Sequence, residues 1–256
     1  MDWTRVDVPV ATRAPTGQTA AYLIGGSLLI DPAARTDALD ALVPDIEHVA
    51  VTHHHPDHTG AVADYAAEAG ATVWARTGRT AAFERATGVT PDRTFAEGTR
   101  IPTRGGDVAV LDTPGHAPEH VAFVAGDAVV SGDLAIAAGS VVVGAPEGDM
   151  RAYLTSLRRL AARSPTRLLP AHGPIIDEPR ATCERLLAHR LERERRVRAA
   201  VADGAATVDA ILDAAYEKDL SGVRDLAAAT VRAHLKKLAV EGALAWDGER
   251  ATVAGP

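Results

Sequence analysis

The stretch THHHPDHTG, residues 52–60, constrains this chain more than any other part of its sequence. It places four imidazoles and one carboxylate within six residues, directly after the apolar run 48–51. An apolar run that is followed by Pro and Gly predicts a short buried strand ending in a loop. Such junctions often carry chemistry, because the strand gives the loop a rigid support.

The spacing of these side chains favours metal binding. On a strand-like segment His53 and His55 point the same way, because side chains alternate with a period of two. Asp57 and His58 follow in the turn and can face a second point nearby. Imidazole nitrogens and carboxylate oxygens are zinc ligands, so the cluster suits two neighbouring metals better than one. The alternative is a solvated histidine-rich tract.

Helix and strand patterns alternate along the rest of residues 1–178. A hairpin is predicted over 20–30, with Gly25-Gly26 as its turn. Asp149 is the expected N-cap of a helix that continues to Ala162. The alternation predicts an α/β layered domain. The other predicted helices are 35–43, 61–69 and 80–87, and the other strands are 72–75, 108–111, 121–124, 128–131 and 167–171.

Three later strand ends carry side chains of the same chemistry. His116 and His120 lie in the turn 113–120, Asp133 follows one strand and His172 ends another. Any one lone histidine of this kind is more often a hydrogen-bonded structural residue than a ligand. Together, however, the strand ends supply five histidines and two aspartates, the inventory that two metals about 3.5–4 Å apart require.

This set of blocks resembles the metallo-β-lactamase superfamily over residues 5–178. The His-x-His-x-Asp-His block of that family matches residues 53–58, and its later blocks match His116, Asp133 and His172. The resemblance implies an αββα sandwich of two mixed sheets, with the metals at one edge. It assigns one metal to His53, His55 and His116, a second to Asp57, His58 and His172, and a bridging position to Asp133.

The resemblance also suggests roles beyond the ligands. Asp31 looks like the family's aspartate that accepts a hydrogen bond from a metal-bound histidine, although a simple turn former is the alternative. Thr52 is a weaker candidate for a similar role. Asp57 is expected to orient the attacking water as well as bind metal. His120 is expected either to protonate the leaving group or to be a structural histidine outside the ligand set.

The family's zinc-cysteine lactamases carry Cys where Asp133 stands here, and the single cysteine, Cys183, lies elsewhere. Antibiotic hydrolysis is therefore disfavoured as the native role. Asp133 instead matches the broad hydrolase branch, which contains thioesterases, lactonases, glyoxalase II-like enzymes and nucleases. Nucleases with an inserted cap domain are excluded, because the stretch between Asp133 and His172 is too short. From its position alone, the stretch 139–148 is predicted to be the loop that recognises the substrate.

The rest of the chain is predicted to be a connecting helix over 179–202 and a small winged-helix-like domain over 203–256. The predicted elements of that domain are helices 208–215, 223–228 and 230–240 and a hairpin with an Asp247-Gly248 turn. This domain would pack on the metal domain, form a wall of the cleft or make a homodimer contact. The domain pair resembles the β-lactamase-like protein 2 branch, which includes a single-strand endoribonuclease and thioesterases of polyketide pathways.

The distribution of charged residues along the chain indicates which partners it can bind. The net charge is −7, and residues 203–256 hold nine acidic against six basic residues, which argues against DNA as a partner. The arginine-rich stretch 184–198 is interpreted as a solvated helix face with i,i+4 ion pairs, with a phosphate-contacting surface as the alternative. Neither a signal peptide nor a membrane-spanning run is visible in the sequence, so a cytoplasmic location is expected.

These observations lead to one main hypothesis and two alternatives. The main hypothesis is a dinuclear metal-dependent hydrolase, with zinc as the expected metal, in which a metal-bridging hydroxide attacks an ester, thioester or lactone. The scarcity of aromatic residues, 4% of the chain, disfavours a base-stacking surface. A single-strand endoribonuclease with the same metal site is the first alternative. A metal-bearing regulator that binds DNA is the second and is the least favoured.

Overall fold

In the computed structural model, which describes residues 1–217 and 219–254, two β-sheets lie face to face. The first sheet has six strands in the order β1-β2-β3-β4-β5-β6. Its first three strands are antiparallel neighbours, and β3 to β6 run parallel. Their bounds are β1 (Trp3–Pro9), β2 (Gln18–Ile24), β3 (Leu28–Ile30), β4 (His48–Ala50), β5 (Thr72–Arg76) and β6 (Arg93–Phe95).

The second sheet has five strands in the order β11-β10-β9-β8-β7. The outer pair β10 and β11 is parallel, and the remaining pairs are antiparallel. Both sheets are therefore mixed, as the resemblance implied. The bounds are β7 (Arg100–Ile101), β8 (Val108–Asp112), β9 (Val121–Ala125), β10 (Ala128–Gly132) and β11 (Arg167–Pro170).

Helices cover the outer face of each sheet. The helices α1 (Asp37–Asp40), α2 (Pro56–Thr59), α3 (Val62–Ala69) and α4 (Thr80–Thr87) follow strands of the first sheet. The long helix α5 (Met150–Arg163) lies between β10 and β11 of the second sheet, and α6 (Pro179–Ala202) follows β11. None of the helices within the described ranges is long and apolar enough to cross a membrane.

The alternation of side chains along β2 shows how the layers are held together. Ala20, Tyr22 and Ile24 are buried between the two sheets, where they pack with residues such as Phe123. The intervening Ala21 and Leu23 belong instead to the core beneath the helices of the first sheet. Because strand residues point to opposite faces in turn, one strand serves two cores. The αββα sandwich expected from the sequence is confirmed.

The chain after α6 forms a further small core. It contains α7 (Val208–Ala215), α8 (Arg224–Val240) and an antiparallel ribbon of β12 (Leu244–Trp246) and β13 (Ala251–Val253). Apolar side chains of these elements pack against Val197 and Val201 near the end of α6. The ribbon occurs where the Asp-Gly turn predicted it. The winged helix as such, and the division into three domains, stay predictions.

Two helix predictions are wrong. The helix expected over 35–43 is a single turn at Asp37–Asp40, followed by a 3₁₀ turn at Val43–Asp45. Pro44 accounts for this, because proline cannot donate the backbone hydrogen bond that a longer helix needs. The helices expected over 223–228 and 230–240 are one helix, α8. No Gly or Pro interrupts it, and the Thr230 hydroxyl donates back to the Leu226 carbonyl at 2.9 Å instead of capping a new helix.

Candidate metal centre

The candidate centre lies at one edge of the sandwich, where β4, β8, β10 and β11 end and their loops meet. Gly132 at the end of β10 allows this convergence. It has φ +48°, and a Cβ added there would lie 2.8 Å from both the His120 Nε2 and the Thr52 side chain. Only glycine tolerates this backbone conformation and this approach together, so Asp133 is brought against the histidine loop.

The three residues predicted to bind the first metal, His53, His55 and His116, form one group. His55 Nδ1 lies 3.0 Å from His53 Nε2 and 3.0 Å from His116 Nε2. His53 is fully buried, whereas 32% of the His55 side chain is exposed. Three imidazole nitrogens therefore surround one point, in an arrangement that can hold a single cation.

Asp57, His58 and His172 form a second group beside the first. His172 Nε2 lies 3.7 Å from Asp57 Oδ2, and His58 Nε2 lies 4.0 Å from Asp57 Oδ1. The Thr12 hydroxyl donates to Asp57 Oδ2 at 2.5 Å and so holds the carboxylate. This group offers one carboxylate and two imidazoles to a second cation.

Asp133 faces both groups. Its Oδ2 lies 3.4 Å from His116 Nε2, and its Oδ1 lies 3.4 Å from His172 Nε2 and 3.8 Å from His58 Nε2. One oxygen is therefore directed to each group, which is the geometry a bridging carboxylate needs. The structure thus brings together all seven residues that the sequence predicted as ligands.

Each of the five histidines has its outward nitrogen bonded to an oxygen of the chain. Carbonyl and carboxylate oxygens only accept hydrogen bonds, so the nitrogen facing them carries a proton, and the inward nitrogen is the one that can offer a lone pair to a cation. Thr52 also acts as an acceptor here, because its hydroxyl donates to Asp31 Oδ2. The pairs are His53 Nδ1 with Thr52 Oγ1 at 3.1 Å, His55 Nε2 with Glu147 Oε2 at 3.2 Å, His58 Nδ1 with Asp31 Oδ2 at 3.0 Å, His116 Nδ1 with Val142 O at 2.6 Å and His172 Nδ1 with Gln18 O at 2.9 Å.

The donor set fits a pair of divalent cations. His58 Nε2 is buried and has no hydrogen-bond partner among the described residues. A buried polar atom of this kind is costly unless something satisfies it, and a cation between the inward nitrogens and carboxylates would do so. Metal-bound histidines characteristically donate their other N–H to a carboxylate or carbonyl, as these do.

The charges of the site agree with this fit. Burial alone would raise the pKa of Asp133, but a hydrogen bond from His172 and the nearby His116 and His58 hold that pKa well below its usual range. Burial lowers the pKa of His53 well below its ordinary value. Burial would also lower the pKa of His58, but the carboxylates of Asp31, Asp133 and Asp57 raise it to about 9. The ion-free site therefore holds a proton that a cation would displace.

Asp31 occupies the position that the sequence suggested. It accepts hydrogen bonds from the Thr52 backbone N–H at 2.7 Å, from the Thr52 hydroxyl at 2.8 Å and from His58 Nδ1. Its backbone has φ +55°, which an aspartate tolerates better than most residues. Asp31 thereby links the histidine loop to the end of β3 and orients His58 directly and His53 through Thr52.

His120 is placed differently from a leaving-group acid. Its Nδ1 lies 2.8 Å from Thr113 Oγ1, and its Nε2 accepts from the Asp133 backbone N–H at 3.0 Å. The side chain is 1% exposed, and burial lowers its pKa to about 3. Both ring nitrogens are therefore engaged and the ring is neutral. This geometry favours the other interpretation made from the sequence, a structural histidine, and the acid role stays an untested prediction.

Sequence reasoning missed the residues that support the ligands from a distance. Glu147, Val142 and Thr12 contact ligands 92, 26 and 45 positions away. No local pattern marks them, because a single polar residue in a loop has no spacing to interpret. His54 was expected to be no ligand, and its Nδ1 indeed turns to Glu119 Oε1 at 3.6 Å.

A cleft of about 670 Å³ adjoins the centre. One wall is formed by the loop that carries His116, by Glu147 and by the start of α5, and the opposite wall by α8 and β12. Val240 and Trp246 make this second wall partly apolar. Lys236 also lines it, is exposed and has no ion-pair partner in the described part of the chain.

Two packed mixed sheets with a histidine–aspartate centre at their strand ends define a class of metal-dependent hydrolases. A family model described as the metallo-beta-lactamase superfamily matches residues 14–172. The chain belongs to the metallo-β-lactamase superfamily and is a metal-dependent hydrolase of that family.

Individual proteins agree with this assignment. The chain is 29% identical over 220 residues to the beta-lactamase-like protein 2 homolog of Drosophila melanogaster, with 81% of the chain and 73% of that protein covered. It is 31% identical over 162 residues to the thioesterase pkgB of Emericella nidulans, with 61% of the chain covered. The chain spans only 43% of the length of pkgB.

Solved structures show the same architecture. The crystal structure of a metallo-beta-lactamase family protein from Thermus thermophilus matches with a TM-score of 0.79 and 25% identity, and 98% of both chains is covered. A protein crystallised in a di-iron-bound form matches with a TM-score of 0.53 and 31% identity over 67% of this chain and 94% of its own. The similarity to the Thermus protein therefore includes the region after α6.

Proposed function

We propose that this protein hydrolyses an ester, thioester or lactone with two divalent metal ions, preferably zinc, held by His53, His55 and His116 and by Asp57, His58 and His172, with Asp133 between them. The observation that carries the proposal is the orientation of the five histidines. Each has its outward nitrogen bonded to an oxygen and its inward nitrogen directed into the group.

Residues of the chain have separate roles at such a site. Divalent ions of this kind lower the pKa of a bound water toward about 7 and polarise the bond that is attacked. Asp57, whose Oδ2 is held by the Thr12 hydroxyl, orients the water from the side of the second group. His120 holds the backbone N–H of Asp133 and so keeps that carboxylate between the groups.

The cleft supports a thioester as the preferred substrate. Its walls combine apolar side chains, Val240 and Trp246, with the cation of Lys236, which has no ion-pair partner among the described residues. A thioester whose thiol belongs to a long carrier group ending in an anion would match the cleft. The carrier chain would contact the apolar side chains and the anion would contact Lys236. A relative that is named a thioesterase adds support for this class of substrate. The proposed partner is therefore a small-molecule acyl substrate.

Single-strand RNA is the competing substrate, and the contacts of the arginine-rich helix weigh against it. Arg185 and Arg193 on α6 donate to backbone carbonyls, and buried Arg190 donates to the Val141 carbonyl. Arg195 and Arg196 pair with Glu192. Among the described residues, these contacts leave Arg198 as the arginine of 184–198 without a partner, which is a poor phosphate-binding surface.

A panel of substrates tests the proposal. Metal-loaded protein is mixed with a short acyl-coenzyme A, a lactone and an unstructured single-stranded RNA, and thiol, acid or fragment release is followed. The expected result is hydrolysis of the thioester that is lost in H58A and H116A and retained in H189A, which alters an exposed histidine of α6 away from the centre. Metal-dependent RNA cleavage without thioester or lactone hydrolysis would contradict the proposal.

A further inference from the structure

The strap, defined here as residues 141–149, crosses the outer side of the first histidine group. It supplies the outward partners of two of the three histidines in that group. The Val142 carbonyl accepts from His116 Nδ1–H at 2.6 Å, and Glu147 Oε2 accepts from His55 Nε2–H at 3.2 Å. The position of two candidate ligands therefore depends on one segment that contributes no ligand of its own.

The strap is itself fixed at several points. The Ala145 N–H donates to the Ala229 carbonyl of α8 at 3.1 Å, and the Asp149 N–H donates to the Gly115 carbonyl, next to His116, at 2.8 Å. Buried Arg190 of α6 donates to the Val141 carbonyl. The strap also closes on itself, because the Gly148 N–H donates to the Gly144 carbonyl at 2.7 Å.

Gly144 shows how closely the strap lies against α8. A Cβ added at this position would be 2.9 Å from the Cβ of Ala229. Helices that follow the catalytic sandwich therefore hold the segment that orients His55 and His116. This gives the last part of the chain a physical connection to the centre, in addition to its role as a wall of the cleft.

His55 depends on this contact more than the other histidines do. Its side chain is 32% exposed, against 0% for His58, 8% for His172 and 10% for His116. Packing therefore does least to fix the His55 ring, and water can compete for its Nε2–H. A carboxylate at that nitrogen orients the ring and increases the basicity of the opposite, inward nitrogen.

We propose that the strap is a positioning element of the first metal site and that Glu147 is the positioning residue of His55. The inference rests on the proposed function in one respect, that the first histidine group holds a metal. Glu147 has no part in the ligand set, so its removal should weaken one site and leave the other intact.

The experiment compares wild type with E147A, E147Q and the control E249A, which removes an exposed glutamate between β12 and β13 that makes no contact with a candidate ligand among the described residues. Each metal-free protein is titrated with Co²⁺, and the visible absorption and the two affinities are measured in competition with a chelator. Glu147 is exposed, with 63% of its side chain accessible, so thermal unfolding should show that E147A folds normally.

We expect E147A to bind one of its two ions roughly tenfold more weakly, which is the lower end of the range for loss of a hydrogen-bond partner of a metal-binding histidine. The absorption band of the bound Co²⁺ should also change. E147Q keeps an acceptor oxygen and should bind like wild type and E249A. Unchanged affinities and spectrum in E147A, or an equal loss in E147Q and E147A, would overturn this inference while the proposed function stands. A wild type that takes up no metal would overturn the proposed function itself.

Discussion

At the scale of single residues, the centre is defined by which nitrogen of each histidine carries the proton. His53, His58, His116 and His172 direct Nε2 inward, whereas His55 directs Nδ1. The difference arises because the partner of His55 lies on the opposite side of its ring, at Glu147. The residue types and their spacing predicted the ligands, and the sequence suggested Asp31 and Thr52 as outer partners. For His55, His116 and His172 the choice of nitrogen depends on oxygens that are distant in sequence and could not be predicted.

Asp31 is the most connected of these outer partners, so its removal should be costly. In D31A, three hydrogen bonds are lost and the Thr52 N–H is left buried without its acceptor. We expect a loss of about 1–3 kcal/mol in the free energy of unfolding and roughly 10–100-fold weaker binding of the second metal. Chemical denaturation and metal competition measure the two effects. D64N, an exposed change on α3, should show neither.

The dependence of the hydrolysis rate on the leaving group tests whether His120 is a structural residue or a leaving-group acid. If it only holds Asp133, H120A should lower the rate of thioester hydrolysis equally for good and poor leaving groups, because both need the same carboxylate position. The comparison is between an aryl and an alkyl thioester of the same acyl group. A loss confined to the alkyl thioester would instead establish His120 as the leaving-group acid.

The raised pKa of His58 predicts that metal binding depends on pH. Its pKa in the ion-free protein is raised to about 9, burial being outweighed by Asp31, Asp133 and Asp57. The residue is therefore protonated at pH 7, and a metal ion must displace that proton. Affinity should rise as the pH increases from 7 to 9, with proton release detectable by calorimetry in buffers of different ionisation enthalpy. Affinity that is constant across this range would contradict the raised pKa.

At the scale of elements, local signals predicted turns and helix starts better than helix continuity. Gly25 and Gly26 both have positive φ, 56° and 72°, and form the turn that the hairpin needs. Asp149 caps α5 by accepting from the N–H groups of Arg151 and Ala152. The helix α8 could not be inferred as one piece, because Thr230 is favourable both as a cap and, through its bond to Leu226, within a helix.

The cleft between α5 and α8 predicts which variants alter substrate affinity. Lys236 is exposed and lines the cleft, so K236A should raise KM about two- to fivefold for a thioester with an anionic arm, as expected for one exposed charge pair. The value of kcat should be unchanged. Acyl-coenzyme A and the N-acetylcysteamine thioester of the same acyl group give the comparison, with R232A on the same helix as the control. An equal effect on both thioesters would contradict recognition of the anion.

At the scale of the whole molecule, the fold explains why residues from distant parts of the sequence meet. Both sheets end at one edge, so loops after β4, β8, β10 and β11 converge there. The family resemblance could predict this edge and its ligands. It could not predict the strap, which is held by hydrogen bonds to α6 and α8, two helices that follow the sandwich in the sequence.

A zinc titration of metal-free protein, with thioester hydrolysis as the readout, tests directly whether the two histidine groups form a dinuclear catalytic centre. Wild type should be inactive without metal and should reach full activity when two equivalents are bound, since each histidine group offers the ligands for one ion and Asp133 faces both. H58A and H116A should each fail to bind the full complement and stay inactive. Full activity in the metal-free protein, or in either variant, would show that hydrolysis does not depend on two metal ions at this centre.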